Sequence, residues 1–177
     1  MLAKNNGVIM KLGVLKEPEG ETRVAIVPTS LKKLQKAGFE VVIESGAGVA
    51  ANYHDAEYEA AGATVGSRDD ALACETIITI RFPGVEGMKE GTNLACVSDP
   101  FRNPEYVKDC LSSKITLLSM DMIPRRLSRA QSMDVNSSQD NLAGYKAVLL
   151  GAAHVPKGIP MMTTSAGTVR PAKVVIM

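Results

Sequence analysis

A chain of 177 residues has room for one sizeable domain, or for one domain and the start of another. Hydrophobic content of 45% against 22% charged residues fits a globular protein. A net charge of +1 and the absence of Trp exclude the basic excess and the stacking platform that nucleic-acid binding uses. The three cysteines, Cys74, Cys96 and Cys110, are odd in number, widely spaced and set among apolar residues, so they read as core thiols of a reducing compartment. His54 and His154 have no Cys or carboxylate cluster beside them, which excludes a zinc site. The opening MLAKNNGVIMKLGV has too short an apolar run for a signal peptide, and no segment approaches the roughly 20 apolar residues that span a bilayer. A cytoplasmic chain is expected, with any membrane link made through a partner.

In chain order, Met10 to Leu15 is a short apolar run broken by KEPEGETR, and Val24 to Val27 is a second. PTSLKKLQKAGFE then carries a helix signature, with Thr29 or Ser30 as cap, Leu31 and Leu34 on one face and Gly38 as the stop. Val41 to Glu44 follows as a buried-strand candidate closing in ESGAG. Strand, helix and strand in this order predict a βαβ unit and a parallel sheet. The pattern continues with a helix from Asp55, a brief strand at Ala63 to Val65, a helix opened by Asp69 or Asp70, and a β-branched run at Thr76 to Ile80. Thr92 to Val97 reads as a strand, Asn103-Pro104 opens a helix with proline in its first turn, and Lys114 to Met120 supplies a further strand. The expected fold is an α/β, doubly wound, Rossmann- or flavodoxin-like parallel sheet. ESGAG lacks the G-x-G-x-x-G spacing and opens no helix, so it reads as a strand-to-loop turn in preference to a phosphate cradle.

The stretch PRRLSRAQSMDVNSSQDNLAGY, Pro124 to Tyr145, gathers Arg125, Arg126, Arg129, Gln131, Asp134 and Ser137 without the periodicity of buried structure. Planar and bidentate hydrogen-bonding groups placed just before a helix suit a phosphate- or amide-bearing ligand, although the same composition also fits a solvated loop. From Ser137, with a Ser-Ser cap, a long helix is expected to run to about Gly158. KGIPMMTTSAGTVRPA reads as a Gly- and Pro-punctuated loop and KVVIM as a new strand. Residues 1–136 are therefore read as an N-terminal domain, 137–158 as a bridging helix, and 159–177 as a loop leading into the first strand of a second domain.

LGVLKEPEGETRVAIVPTSLKKLQKAGFEVVIESGAG resembles the opening of the alanine dehydrogenase and nicotinamide nucleotide transhydrogenase family. SRAQSMD, SSQDNLAGYKAVLLGA and MMTTSAGTVRPAKVVI are more particular, and are similar to the NAD(H)-binding alpha component of the proton-translocating transhydrogenases. The resemblance covers nearly the whole chain from Lys11. It implies that Arg126, Arg129, Gln131, Asp134 and Ser137 bind the nicotinamide end of NAD(H), presenting it to NADP(H) on a partner component. PRRLSR is one residue longer than the family spacing, which leaves Arg125 as the alternative to Arg126, and Asn136 stands where the family has an apolar residue. The resemblance further implies NADP(H)-binding and membrane partner components, a homodimer, and a cytoplasmic position peripheral to the membrane. It also implies a glycine-rich dinucleotide-binding domain after KVVIM, without which the chain is expected to be inactive and to bind NAD(H) weakly. Hydride transfer between two nicotinamides needs no protein nucleophile or base, in keeping with the lack of a candidate catalytic His or Cys.

Two alternatives remain in view. Alanine dehydrogenases of the same family use an arginine, a lysine and a histidine. Arg23 matches the arginine, but Arg81 stands at the lysine position and Asp99 at the histidine position. An arginine is a poor titratable acid and an Asp repels a carboxylate substrate. Arg23 is then expected to tie the first loop to a neighbouring carboxylate. The other alternative is a non-catalytic dimerisation or interaction module.

Overall fold

The computed structural model describes residues 10–176, and the chain divides into two units, Met1–Met133 and Asp134–Met177. The division falls three residues before the domain boundary expected from the sequence.

The first unit is built on a six-stranded parallel sheet in the order β3-β2-β1-β4-β5-β6, with β1 at Met10–Val14, β2 at Phe39–Glu44, β3 at Thr64–Gly66, β4 at Thr76–Arg81, β5 at Asn93–Val97 and β6 at Thr116–Ser119. This is the doubly wound order the sequence predicts, with its reversal between β1 and β4. Both faces are covered, so a strand must be apolar on both sides. β2 shows this directly: Val42 enters one core with Ile77, Leu94 and Cys96, while Val41 and Ile43 enter the other with Leu12, Val14 and Leu31. All three cysteines are free and buried, and burial pushes the Cys96 thiol up to about 12.

The helices are α1 at Leu31–Lys36, α2 at Asp55–Ala60, α3 at Arg68–Leu72 and α4 at Pro104–Ser112. Gly13 lets α3 lie directly on β1, because a Cβ there would meet the Ala71 carbonyl. Gly38 ends the α1 turn at φ +91°, as its place in the sequence predicts.

Several local expectations are corrected. Val24 to Val27 forms no strand; Ile26 is buried and its carbonyl accepts the Tyr58 hydroxyl at 3.0 Å, so the run packs as a loop. Neither Thr29 nor Ser30 caps α1 through its side chain, because Pro28–Ser30 is itself a 3₁₀ turn leading into the helix. Asp55 lies inside α2, after an N-cap at His54, and its carboxylate is used elsewhere. Ser67, rather than Asp69 or Asp70, caps α3: its hydroxyl accepts from the Asp70 amide at 3.2 Å while Asp70 accepts from the Ser67 amide at 2.8 Å.

The second unit holds α5, Val135–His154, and an antiparallel pair of strands, β7 at Met162–Thr164 and β8 at Gly167–Val169. The expected loop after the helix is therefore a hairpin, turning at Ser165 and Ala166 and entering β8 at Gly167 with φ +128°, and residues 173–176 carry no strand. The cap of α5 is Asp134, not the Ser-Ser pair, and Val155 ends it before Pro156. Among the described residues, no helix is long and apolar enough to cross a membrane, and no group of three or more His, Cys, Asp or Glu could hold a metal.

Candidate functional site

The stretch from Pro124 to Met133 is a succession of turns tied by its own backbone. Leu127 donates to the Pro124 carbonyl at 3.1 Å, Ala130 and Gln131 donate to the Leu127 carbonyl at 2.8 and 3.2 Å, and Met133 donates to the Ala130 carbonyl at 2.9 Å. Ala130 is 5% exposed and pins these turns, whereas Arg125, Arg126, Arg129 and Gln131 are exposed. Backbone satisfaction within the turns leaves those long side chains outward, where a ligand can meet them.

In the second unit, the Asp134 carboxylate accepts the Ser137 amide at 3.1 Å and the Ser137 hydroxyl at 2.7 Å. The first bond satisfies an amide that the helix start leaves unpaired, and a carboxylate is well placed against that end of α5. Both residues are half-buried, as is Asn136. Asp134 and Ser137 are thus held by each other.

At the carboxyl ends of the strands, where a doubly wound sheet binds its ligands, the free backbone amides are occupied by carboxylates. After β1, the Lys16 amide donates to Glu44 at 2.8 Å. After β2, Gly46 donates to Asp55 at 2.9 Å and the Ser45 hydroxyl to the same carboxylate at 2.7 Å. This is why ESGAG is a turn and not a phosphate cradle. These bonds hold the Asp55 carboxyl below its ordinary range, the Ser45 hydroxyl contributing most. A register shift near the end of β4 accompanies the part-buried amides of Ile80 and Arg81, which donate to Glu17 at 2.6 and 3.0 Å. Glu17 is 9% exposed, and burial raises its pKa against the lowering effect of those two amides. After β5, Ser98 and Asp99 donate to Asp121 at 3.1 and 3.0 Å, and Asp99 takes the left-handed backbone at φ +43°.

Glu21 sits between two arginines. Arg23 donates through Nε and Nη2 at 2.7 and 2.6 Å, and Arg81 through Nε at 3.1 Å. The Arg23 guanidinium holds the Glu21 carboxyl well down, at about 2. Arg23 is therefore the tie between loop and carboxylate that the sequence predicts. Asp99 faces Arg102 at 3.6 Å. The two arginines at the alanine dehydrogenase positions are drawn onto an internal acid. Sequence reasoning missed Glu17, Glu21, Glu44 and Asp121; the only signal was the density of acids in KEPEGETR directly after a strand.

Residues 13–143 match the model of the alanine dehydrogenase/PNT N-terminal domain. The chain belongs to this family. It is 44% identical over 94% of its length to the first of the polypeptides that make up the NAD(P) transhydrogenase alpha subunit of Rhodospirillum rubrum, covering 46% of that protein. An alanine dehydrogenase of Methanococcus maripaludis is 31% identical over 95% of the chain, with 47% of that protein covered. Among solved structures, a transhydrogenase from Sinorhizobium meliloti superposes with a TM-score of 0.86 at 42% identity over 92% of this chain and 50% of that one. An L-alanine dehydrogenase gives 0.63 at 28% identity over 68% of this chain and 34% of the other. The chain spans about half the length of these family members, or less.

Proposed function

We propose that the chain is the N-terminal portion of the NAD(H)-binding component of a proton-translocating NAD(P) transhydrogenase. The observation that carries this reading is the order of likeness: 44% identity to a transhydrogenase alpha-subunit polypeptide against 31% to an alanine dehydrogenase, over nearly the same share of the chain. The pairing of Arg23 and Arg81 with Glu21 supports it, since a 2-oxo acid would have to displace that carboxylate.

The donor set fits a nicotinamide nucleotide. Gln131 offers both a donor and an acceptor for a ribose or carboxamide, Arg126 and Arg129 offer fixed positive charge, and Asp134 with Ser137 offers acceptors already steadied by a helix start. NAD(H), when bound, supplies the hydride. These side chains orient and exclude water, and none has to act as nucleophile or base. On this reading NADP(H) is carried by a partner component, membrane components couple the transfer to proton movement, and the chain pairs with a second copy. It works in the cytoplasm at the membrane face. Residues 1–136 form the N-terminal domain, 137–158 the link, and 159–177 the approach to a dinucleotide-binding domain.

A chimera tests the reading. This chain replaces the matching segment of the Rhodospirillum rubrum protein, and hydride transfer from NADH to an NADP⁺ analogue is followed with an NADP(H)-binding transhydrogenase component. Transfer is expected, with Gln131→Asn and Asp134→Asn slowing it by about 10- to 100-fold. Asn is a good helix cap, so the second variant keeps α5. Parental rates in both variants would remove the loop assignment, and oxidation of alanine in place of transhydrogenation would favour the dehydrogenase.

A further inference from the structure

β6 is the edge of the sheet, so among the described residues the chain that leaves it has a strand, β5, on one side only. Their ladder ends with Cys96 opposite Ser119, and two residues further on Ser98 and Asp121 meet. There the Asp121 carboxylate takes over from a backbone carbonyl: Oδ1 accepts the Ser98 amide at 3.1 Å and Oδ2 the Asp99 amide at 3.0 Å. Oδ1 also accepts the Ser119 hydroxyl at 2.8 Å, and that hydroxyl lies 2.8 Å from the hydroxyl of Ser98, itself 2% exposed. We propose that Asp121 is the positioning residue of the loop that follows, fixing where Arg126, Arg129 and Gln131 stand. The inference rests on the assignment of those three side chains to the nicotinamide.

Three features assign this role. First, the span that bears those side chains is fastened near its ends. Asp121 stands at its root, in the 3₁₀ turn Met120–Met122, and the buried Ala130 lies toward its far end, while Pro124 to Arg129 between them are exposed. The turn bonds inside the span, from Leu127 to Pro124 and from Ala130 and Gln131 to Leu127, are all short-range. They set its shape and not its place, so its place depends on its ends. Second, the block to which Asp121 is tied is itself rigid. Asp99 takes the left-handed backbone at φ +43°, and its carbonyl accepts the amides of Arg102 and Asn103 at 3.0 and 2.9 Å and the Asn103 side-chain amide at 3.2 Å. Third, both carboxylate oxygens are used. An Asn at this position turns its NH₂ group toward one of the donors that the carboxylate serves, which loosens the root of the loop without opening a cavity. Hydride transfer tolerates little misplacement of this kind, since about 1 Å costs about 100-fold in rate.

The first test needs no nucleotide. Amide hydrogen exchange of the 177-residue chain is compared in the parent, in Asp121→Asn and in Gly13→Ala, the last a lesion at the contact of α3 with β1. Asp121→Asn is expected to speed exchange of the turn amides of Leu127, Ala130, Gln131 and Met133 about tenfold or more, whereas Gly13→Ala leaves these four unchanged. The second test uses the transhydrogenase chimera. There Asp121→Asn should lower kcat about tenfold or more and change the KM for NADH by less than about threefold, with a larger isotope effect from NADH deuterated at the transferred hydrogen. Gly13→Ala keeps the parental kcat per folded molecule. The proposal is overturned if the four turn amides exchange in Asp121→Asn as in the parent, if Gly13→Ala moves them equally, or if Asp121→Asn leaves kcat unchanged. An inactive parental chimera strikes the nicotinamide assignment instead, and the exchange result still decides whether Asp121 holds the loop.

Discussion

Replacing Glu21 by Gln separates charge from shape at the arginine pair. The Glu21 carboxyl is held at about 2 against an ordinary 4.5, chiefly by the Arg23 guanidinium. A depressed carboxyl contributes stability that is complete above the unfolded value near 4.5 and is lost as pH falls toward about 2. Linkage sets a ceiling of about 3 kcal/mol on that contribution. Arg23 and Arg81 are 42% and 60% exposed, so solvent screening brings the expected value down to about 1–2 kcal/mol at neutral pH. Gln keeps the size and one acceptor, and it removes the titration. Urea unfolding of parent and variant should therefore differ by about 1–2 kcal/mol at pH 7, with the difference shrinking between about pH 5 and pH 3. Glu17, whose pKa burial raises, works in the opposite sense: its contribution is present below about 4.5 and is lost as pH rises through its folded value. Glu21 also raises the Glu17 pKa, a smaller effect than burial, so Glu21→Gln eases that shift as well. Equal stability at pH 7, or a difference that does not change between pH 5 and pH 3, refutes the clamp.

Two further substitutions probe the frame. Asp121→Ala leaves the amides of Ser98 and Asp99 and the Ser119 hydroxyl without their acceptor, next to a Ser98 that is 2% exposed. It should cost about 2–4 kcal/mol in chemical denaturation, with Asp121→Asn costing less; a change below about 0.5 kcal/mol counts against a structural role. Gly13→Ala drives a methyl group into the Ala71 carbonyl and should cost at least about 1–3 kcal/mol, or force α3 away from β1, visible as lost amide protection in residues 68–72.

The order of elements could be read from the sequence because each carried its own local signal. Buried parallel strands are short apolar runs bounded by Gly, Pro and Asp, and Asn103-Pro104 or Gly38 mark a helix start and stop by backbone chemistry alone. Caps were less legible, because Asp, Ser, Thr and His compete for the same role and the winner depends on distant partners. Asp55 lost the cap position of α2 to His54 since its carboxylate reaches back to Gly46, and nothing within α2 encodes that bond. The same limit applies to the site. Glu17 looked like one acid in a charged loop, yet it meets amides 63 and 64 residues away, a pairing created only when β4 is laid beside β1. Arg126, Arg129 and Gln131 were readable as outward-facing because their own backbone turns are short-range.

The carboxylates at the strand ends bear directly on nucleotide binding by this chain. In a dinucleotide-binding sheet, the amides beyond the first strands receive a phosphate. Here those of Lys16, Gly46, Ile80, Arg81, Ser98 and Asp99 receive Glu44, Asp55, Glu17 and Asp121. A pyrophosphate would have to displace internal acceptors that are covalently tethered, and would then lie among their negative charges. Each bond to a charged acceptor is worth about 1.5–3 kcal/mol, so displacing three of them offsets about 4.5–9 kcal/mol, more than half of a micromolar affinity of about 8 kcal/mol. Calorimetric titration of the 177-residue chain with NADH is therefore expected to give no measurable heat, whereas the chimera with the Rhodospirillum rubrum protein binds. Micromolar binding by the chain alone would mean that the strand ends yield to a nucleotide. In that event Asp55→Asn, which keeps the shape of the turn and removes one charge, should tighten the binding. If the affinity were instead unmoved by Asp55→Asn and abolished by Gln131→Ala, the nucleotide would be held without the sheet edge at all.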